Sequence, residues 1–270
     1  MAAKEETILT IHFADKGSGV PMLLIHGFPF YSRMWAGQLE QLSGSARLLV
    51  PDLPGFGDSP GGEGKPSVDQ YAEDCMAVLD ALDIMEPVVI GGLSMGGYIA
   101  LAAARLVPLR IRGLILVSTR AGADSAEGKA GRDKTIAQVK ERGASVVTES
   151  MYPKLLSPEM YQSKPAIAAE LQEIMKGATP DGVVGALTAM RDRPDSTSLL
   201  PNLHMPVLII HGKDDQVIPR SEAEALAKEI PTNELHLIDK AGHLPNLEQP
   251  DEFNRVVMKF LSKLPAKATA

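Results

Sequence analysis

Apolar residues along this chain fall into short unbroken runs separated by stretches with helical spacing. The runs at 8–13, 22–25, 46–50, 88–90, 114–117, 207–210 and 235–238 read as strands. Most are continuous rather than alternating, which is the pattern of strands covered on both faces. Between them, apolar positions recur at intervals of three and four over 34–42, 68–82, 98–107, 221–230 and 252–264, predicting helices. Pro250, Asp251 and Glu252 mark the start of the last one, with a fixed φ and favourable first-turn charge. Strands alternating with helices predict an α/β fold, with a mostly parallel central sheet flanked by helices on both faces.

The alternation breaks once. After residue 117 no convincing strand begins until 207, and a structureless loop of that length is improbable in a compact domain. Amphipathic patterns at 168–175 and 183–190 predict a helical insertion at about residues 121–201. It divides the sheet domain into a first part, 1–120, and a second part, 202–270.

Composition narrows the class. Aromatics make up only 4% of the chain, so Leu, Val, Ile, Ala and Met must fill the interior. The net charge of −7 is spread without a basic block, which argues against nucleic acid or an anionic membrane as partner. Cys75 is the single cysteine and can form no intrachain disulfide. It falls on the apolar face of the 68–82 helix and reads as a packing residue. Residues 1–10 carry Lys4, Glu5 and Glu6 and no apolar segment of signal-peptide length. No stretch approaches the ~20 apolar residues of a membrane span, and a cytoplasmic location is expected.

The candidate chemistry begins at Gly92-Leu93-Ser94-Met95-Gly96, which lies between a strand and a helix. A nucleophilic serine needs its hydroxyl pushed out of the backbone, and a sharp strand-to-helix turn does this. The turn crowds the positions two before and two after the serine, where only glycine fits comfortably. A base must take the serine proton, and a third group must orient that base. His243, just after the last strand run, is the expected base. The run at 207–210 leads to Asp214 and Asp215, of which Asp215 is favoured because Gly212 starts a turn there; Asp214 is kept as the alternative. The order Ser94, Asp215, His243 is that of α/β-hydrolases rather than of the major serine protease folds. Backbone N–H groups of Phe28 and Met95 are the expected oxyanion donors, since Pro29 has no N–H to offer. His26 reads as a histidine bracing that loop.

Five motifs in one order carry a resemblance: His26-Gly27-Phe28-Pro29, the Asp52 to Ser59 segment DLPGFGDS, Gly92 to Gly97, His211 to Asp215, and Gly242-His243. The chain resembles an α/β-hydrolase-fold serine hydrolase with a cap domain, most similar to bacterial carboxylesterases and 3-oxoadipate enol-lactonase-like proteins. The segment Met190 to Ser196, MRDRPDS, supports the latter likeness. Such families often start with a two-strand hairpin, and only the run at 8–13 is visible here, so the sheet is expected to lack its first edge strand. Gly55-Phe56-Gly57 follows a strand as a dinucleotide loop would, but the prolines and glycines beyond it cannot open a helix.

The resemblance implies an enzyme, a carboxylic ester hydrolase that works through an acyl-enzyme on Ser94. It implies a small-molecule ester or lactone as partner, with no metal and no cofactor; short to medium acyl esters of apolar alcohols or phenols are the expected substrates. The insertion is expected to roof the site, with Met151 and Tyr152 as substrate contacts among packing residues such as Leu155, Leu156, Met160, Leu171, Met175 and Met190. Arg120 is the one well-placed cation for an enol-lactone bearing carboxylates, against a plain ion pair. Peracid formation, with hydrogen peroxide replacing water, is a side activity of similar proteins. A non-catalytic ligand-binding member of the fold is disfavoured by the intact set of motifs.

Overall fold

The computed structural model describes residues 11–61 and 66–265. The first half runs β1 (Phe13–Lys16), β2 (Val20–Ile25), α1 (Ala36–Leu42), β3 (Ala46–Pro51), α2 (Val68–Ala81), β4 (Val88–Leu93), α3 (Met95–Leu106) and β5 (Ile111–Val117). An all-helical segment follows, α4 (Ala126–Arg142), α5 (Ser145–Leu155), α6 (Pro158–Ser163), α7 (Pro165–Met175) and α8 (Pro180–Asp192). The sheet resumes with β6 (Val207–Gly212), α9 (Arg220–Glu229), β7 (Asn233–Ile238), α10 (Pro245–Glu248) and α11 (Pro250–Lys263). The strand order is β1-β3-β2-β4-β5-β6-β7, parallel throughout except that β1 runs antiparallel to β3.

The unbroken apolar runs are explained by the two cores. Alternate residues of each inner strand enter opposite clusters: Leu23 and Ile25 with Ile90, Leu114 and Ile209 on one face, Met22 and Leu24 with Val89, Ile115 and Leu208 on the other. α2, α3 and α9 cover the first face through Tyr71, Ile99 and Leu226, while α1 and α11 cover the second through Leu42, Phe253 and Val257. Each such side chain, fully withdrawn from water, contributes about 1.5–3 kcal/mol. Cys75 is buried in the first cluster, where loss of solvent pushes its thiol pKa up, so it packs rather than reacts.

The first strand starts later than its apolar run. Residues 8–10 of the predicted 8–13 run lie outside the described residues, and the strand begins at Phe13. Among the described residues one strand, not a hairpin of two, precedes β2, and it forms the edge of the sheet beside β3. It is half exposed, and what holds it is the ladder to β3 and the two-pronged pair of Arg47 on Asp15, at 3.0 and 2.6 Å, which no hydrophobic pattern announces.

In the helical segment, α7 and α8 contain the amphipathic patterns read from sequence. α4 does not show one, because only Ile136 and Val139 of its 17 residues are buried. The Gly55-Phe56-Gly57 turn, with φ of 84° and 54° at its glycines, carries no nucleotide loop; the start of α8 rests on it. Thr179 N–H donates to Gly55 O at 3.0 Å, and Gly57 N–H to Gly177 O at 2.7 Å. Among the described residues no helix is long and apolar enough to cross a membrane.

Candidate active site

Parallel strands bring their carboxyl ends to one edge of the sheet, and the loops after β2, β4, β6 and β7 meet there. Ser94 links β4 directly to α3 with φ 55° and ψ −109°, a left-handed value that a side chain rarely adopts. The turn is clamped on both sides. Ser94 N–H donates to Val117 O at 2.9 Å, and Thr119 Oγ1 donates to Ser94 O at 2.8 Å. A Cβ at Gly92 would collide with the Gly96 carbonyl, and one at Gly96 with the carbonyls of Ile25 and His26. The two glycines are therefore what lets β4, α3 and the loop after β2 close on the serine.

His243 follows β7 and Asp215 follows β6, and their side chains meet. His243 Nδ1 lies 2.9 Å from Asp215 Oδ2, with both side chains buried. Asp215 Oδ1 accepts from the N–H groups of Val217 and Ile218 at 2.8 and 3.0 Å. Burial works against ionisation of this carboxyl, but His243 and the two amides hold it below the ordinary carboxylate range. An ionised Asp215 can only accept, so Nδ1 of His243 carries the proton and Nε2 presents its lone pair. Asp214, the alternative, is exposed, and its N–H donates to Ala241 O.

The loop carrying His243 is anchored to the helical segment. His243 N–H donates to Leu155 O at 2.9 Å. The fully buried Glu248 accepts from Gly242 N–H and from Ser157 N–H, each at 2.7 Å. Burial pushes its carboxyl up to about 7 against those amides. Nothing in the sequence pattern singles Glu248 out, since a glutamate two positions before Pro250 and the last helix looks like a solvated residue.

Phe28 lies in the loop after β2 and Met95 is the first residue of α3, whose amide has no partner within the helix. Behind Phe28, His26 Nε2 accepts from Leu53 N–H at 3.0 Å and Nδ1 lies 2.9 Å from Gly27 O. Burial lowers its pKa to about 4, so both nitrogens of a neutral ring are occupied in bracing the loop.

Ser94 opens into a cavity of about 400 Å³. Phe28, Tyr98, Val217 and Ile218 form its sheet side, and Val147, Met151, Leu187 and Met190 its helical side. Met151 lines the cavity. Tyr152 does not: its ring packs on Tyr161 at 5.3 Å and it borders a separate cleft with Gln172 and Lys176. Consecutive residues of a helix point about 100° apart, which sends these two neighbours to different sides of α5. Leu155, Leu156, Met160, Leu171 and Met175 are packing residues of the second core cluster. Arg120 lines the cavity and pairs with Asp124 at 2.7 Å, joined by Asp124 and Arg132, which the sequence reading passed over. Arg132 sits on α4, whose polar sequence reads as a solvated face.

One set of described side chains has metal-ligand chemistry, His12, Asp52 and Asp58, beside β3 rather than at this edge. Its buried carboxylate, Asp52, already accepts from Ser32 N–H at 2.7 Å and Asp58 N–H at 3.0 Å, which accounts for it as a loop brace.

The family model described as the alpha/beta hydrolase family matches residues 22–256. The chain belongs to that family. This alpha/beta hydrolase superposes with a TM-score of 0.91 on a thermophilic esterase from Thermogutta terrifontis, solved with malate bound. The two are 39% identical, over 94% of this chain and 93% of that one. A 2-hydroxymuconate semialdehyde hydrolase of Pseudomonas putida is 30% identical over 263 residues, spanning 93% of this chain and 90% of the relative. A pimeloyl-[acyl-carrier protein] methyl ester esterase of Nitrosomonas europaea is also 30% identical, spanning 90% and 96%. The alpha/beta hydrolase fold, with its mostly parallel seven-stranded sheet among the described residues, is thereby established.

Proposed function

We propose that this hydrolase cleaves carboxylic esters of small to medium substrates through an acyl-enzyme on Ser94. The observation that carries the reading is the buried 2.9 Å contact of His243 with Asp215, held by the same Val217–Ile218 turn that walls the Ser94 cavity. His243 removes the Ser94 proton as the hydroxyl attacks the carbonyl, and Asp215 orients the imidazole and stabilises its cation. The N–H groups of Phe28 and Met95 receive the oxyanion. His243 then protonates the departing alcohol, and water repeats the sequence on the acyl-enzyme. The segment at 121–201 acts as a cap, supplying an apolar wall from Val147, Met151, Leu187 and Met190.

The test is a panel of p-nitrophenyl esters, simple lactones and amides on wild type, Ser94→Ala and His243→Ala. Ser94→Ala is expected to abolish ester turnover, and His243→Ala to leave roughly 10³-fold residual catalysis over water from the oxyanion donors and binding. Wild-type rates in Ser94→Ala would overturn the scheme.

A further inference from the structure

The wall of the Ser94 cavity carries a charge cluster that ester chemistry alone does not require. Asp124, its side chain 2% exposed, is surrounded by guanidinium groups. Its Oδ1 accepts from Arg120 Nη2 at 2.7 Å and from Arg193 Nη1 at 2.8 Å, and its Oδ2 from Arg132 Nε. Burial opposes its charge, but Arg132 and Arg193 hold its carboxyl at about 2, so the aspartate is ionised. One negative charge is thus shared by three positive ones, in a partly desolvated wall.

The three arginines are not equivalent. Arg193 is committed to structure: it also donates to Met190 O and Gly122 O, both at 2.7 Å, and its guanidinium lies 4.2 Å from the centre of the Tyr98 ring. Arg120 and Arg132 line the cavity itself. A guanidinium has five N–H donors. Arg120 places one on Asp124, and its Nε is buried without a partner. Arg132 places Nε on Asp124 and reaches only a thioether, Met190 Sδ at 3.5 Å, with Nη1. Besides Asp124, Tyr98 and Glu222, the latter in the first turn of α9, also bear on Arg120 electrostatically. Two cations with unused donors therefore share the Ser94 cavity with the apolar side chains that line it. A planar carboxylate matches a guanidinium fork in charge and geometry.

We propose that this cavity takes esters whose acyl part ends in a carboxylate, the half-esters of short dicarboxylic acids, with Arg120 and Arg132 receiving the distant anion. The assignment rests on the ester-hydrolase reading above. It falls on the acyl part because that part stays bonded to Ser94 through both half-reactions and must be housed in the cavity Ser94 lines, whereas the alcohol leaves after the first. Asp124 is a positioning residue that fixes both guanidiniums.

The experiment compares monoethyl glutarate with its neutral isostere, ethyl 4-carbamoylbutanoate, by acid release in a pH-stat. Wild type should favour the carboxylate in kcat/KM by about ten-fold or more, the size of one charge-assisted hydrogen bond. That ratio should fall towards one in Arg132→Gln and in Arg120→Gln, mainly through KM, and should shrink in wild type as salt is raised. The salt arm keeps the test decisive if either variant fails to fold. Equal turnover of the two esters by wild type, insensitive to salt, would overturn the carboxylate site and leave the esterase reading intact. Hydrolysis of neither would overturn both.

Discussion

At Asp215 the distinction between a charge and a hydrogen-bond pattern can be tested by one atom. Asparagine at this position can still accept the Val217 and Ile218 amides, now at 2.8 and 3.0 Å, through its carbonyl oxygen. Its NH2 would then face His243 Nδ1 and force the opposite tautomer, leaving Nε2 protonated and unable to take a proton from Ser94. Asp215→Asn is therefore expected to lower kcat by roughly 10⁴-fold while its folded structure persists. Ester kinetics beside a thermal melt measures both. Near-normal kcat in a folded variant would remove Asp215 from the mechanism. The pairing of Asp215 rather than Asp214 with His243 was legible in the sequence, because Gly212 opens a turn that presents the later residue. Arg132 and Asp124 were not. Asp124 meets Arg193 from 69 positions away and Arg132 from a helix without an apolar stripe, and no local pattern encodes that meeting.

One short helix, α10, joins the loop of His243 to the helical segment, and it does so through a titrating group. The Glu248 carboxyl is raised from its ordinary 4.5 to about 7, chiefly by burial. The folded protein thus holds the proton more tightly than the unfolded chain does. The stability tied to this group is fully present below pH 4.5 and is lost as pH rises towards 7. Glu248→Gln removes the titration, but its single carbonyl cannot accept both Gly242 and Ser157, so one buried amide loses its partner at a cost of about 1–3 kcal/mol. Between pH 4.5 and 7 the stability advantage of wild type over this variant should shrink by about 3 kcal/mol. Urea denaturation across that range reads it directly, and an advantage that stays constant or grows would contradict the linkage. At this scale the inner strands were legible, because burial on both faces demands unbroken apolar runs. β1 and α4 were not, since backbone pairing and ion pairs secure the one and a polar surface surrounds the other.

Across the whole molecule, the helical segment shares its cores with the sheet. The cluster on one face of the sheet continues into Val183, Ala186 and Leu187, and the cluster on the other into Leu155, Leu171 and Ile174. Backbone hydrogen bonds from Thr179 to Gly55 and from Gly57 to Gly177 stitch the same seam, and Arg33 adds a two-pronged pair to Glu170 at 2.8 and 3.0 Å. A lid with a core of its own would melt separately; a segment that completes two shared cores should not. The decisive position is Gly182, in the first turn of α8, where a Cβ would run into the backbone of Gly55. Neither backbone can move without disturbing the turn after β3 or the helix, so Gly182→Ala wedges the seam itself, costing about 1–3 kcal/mol. If the cores are shared, that cost spreads over the whole fold. Calorimetry should show one transition in both proteins, lowered in the variant by about 2–4 °C per kcal/mol, with esterase activity lost along the same curve. A second, earlier transition confined to the variant would mean that the segment at 121–201 comes away from a sheet that stands without it.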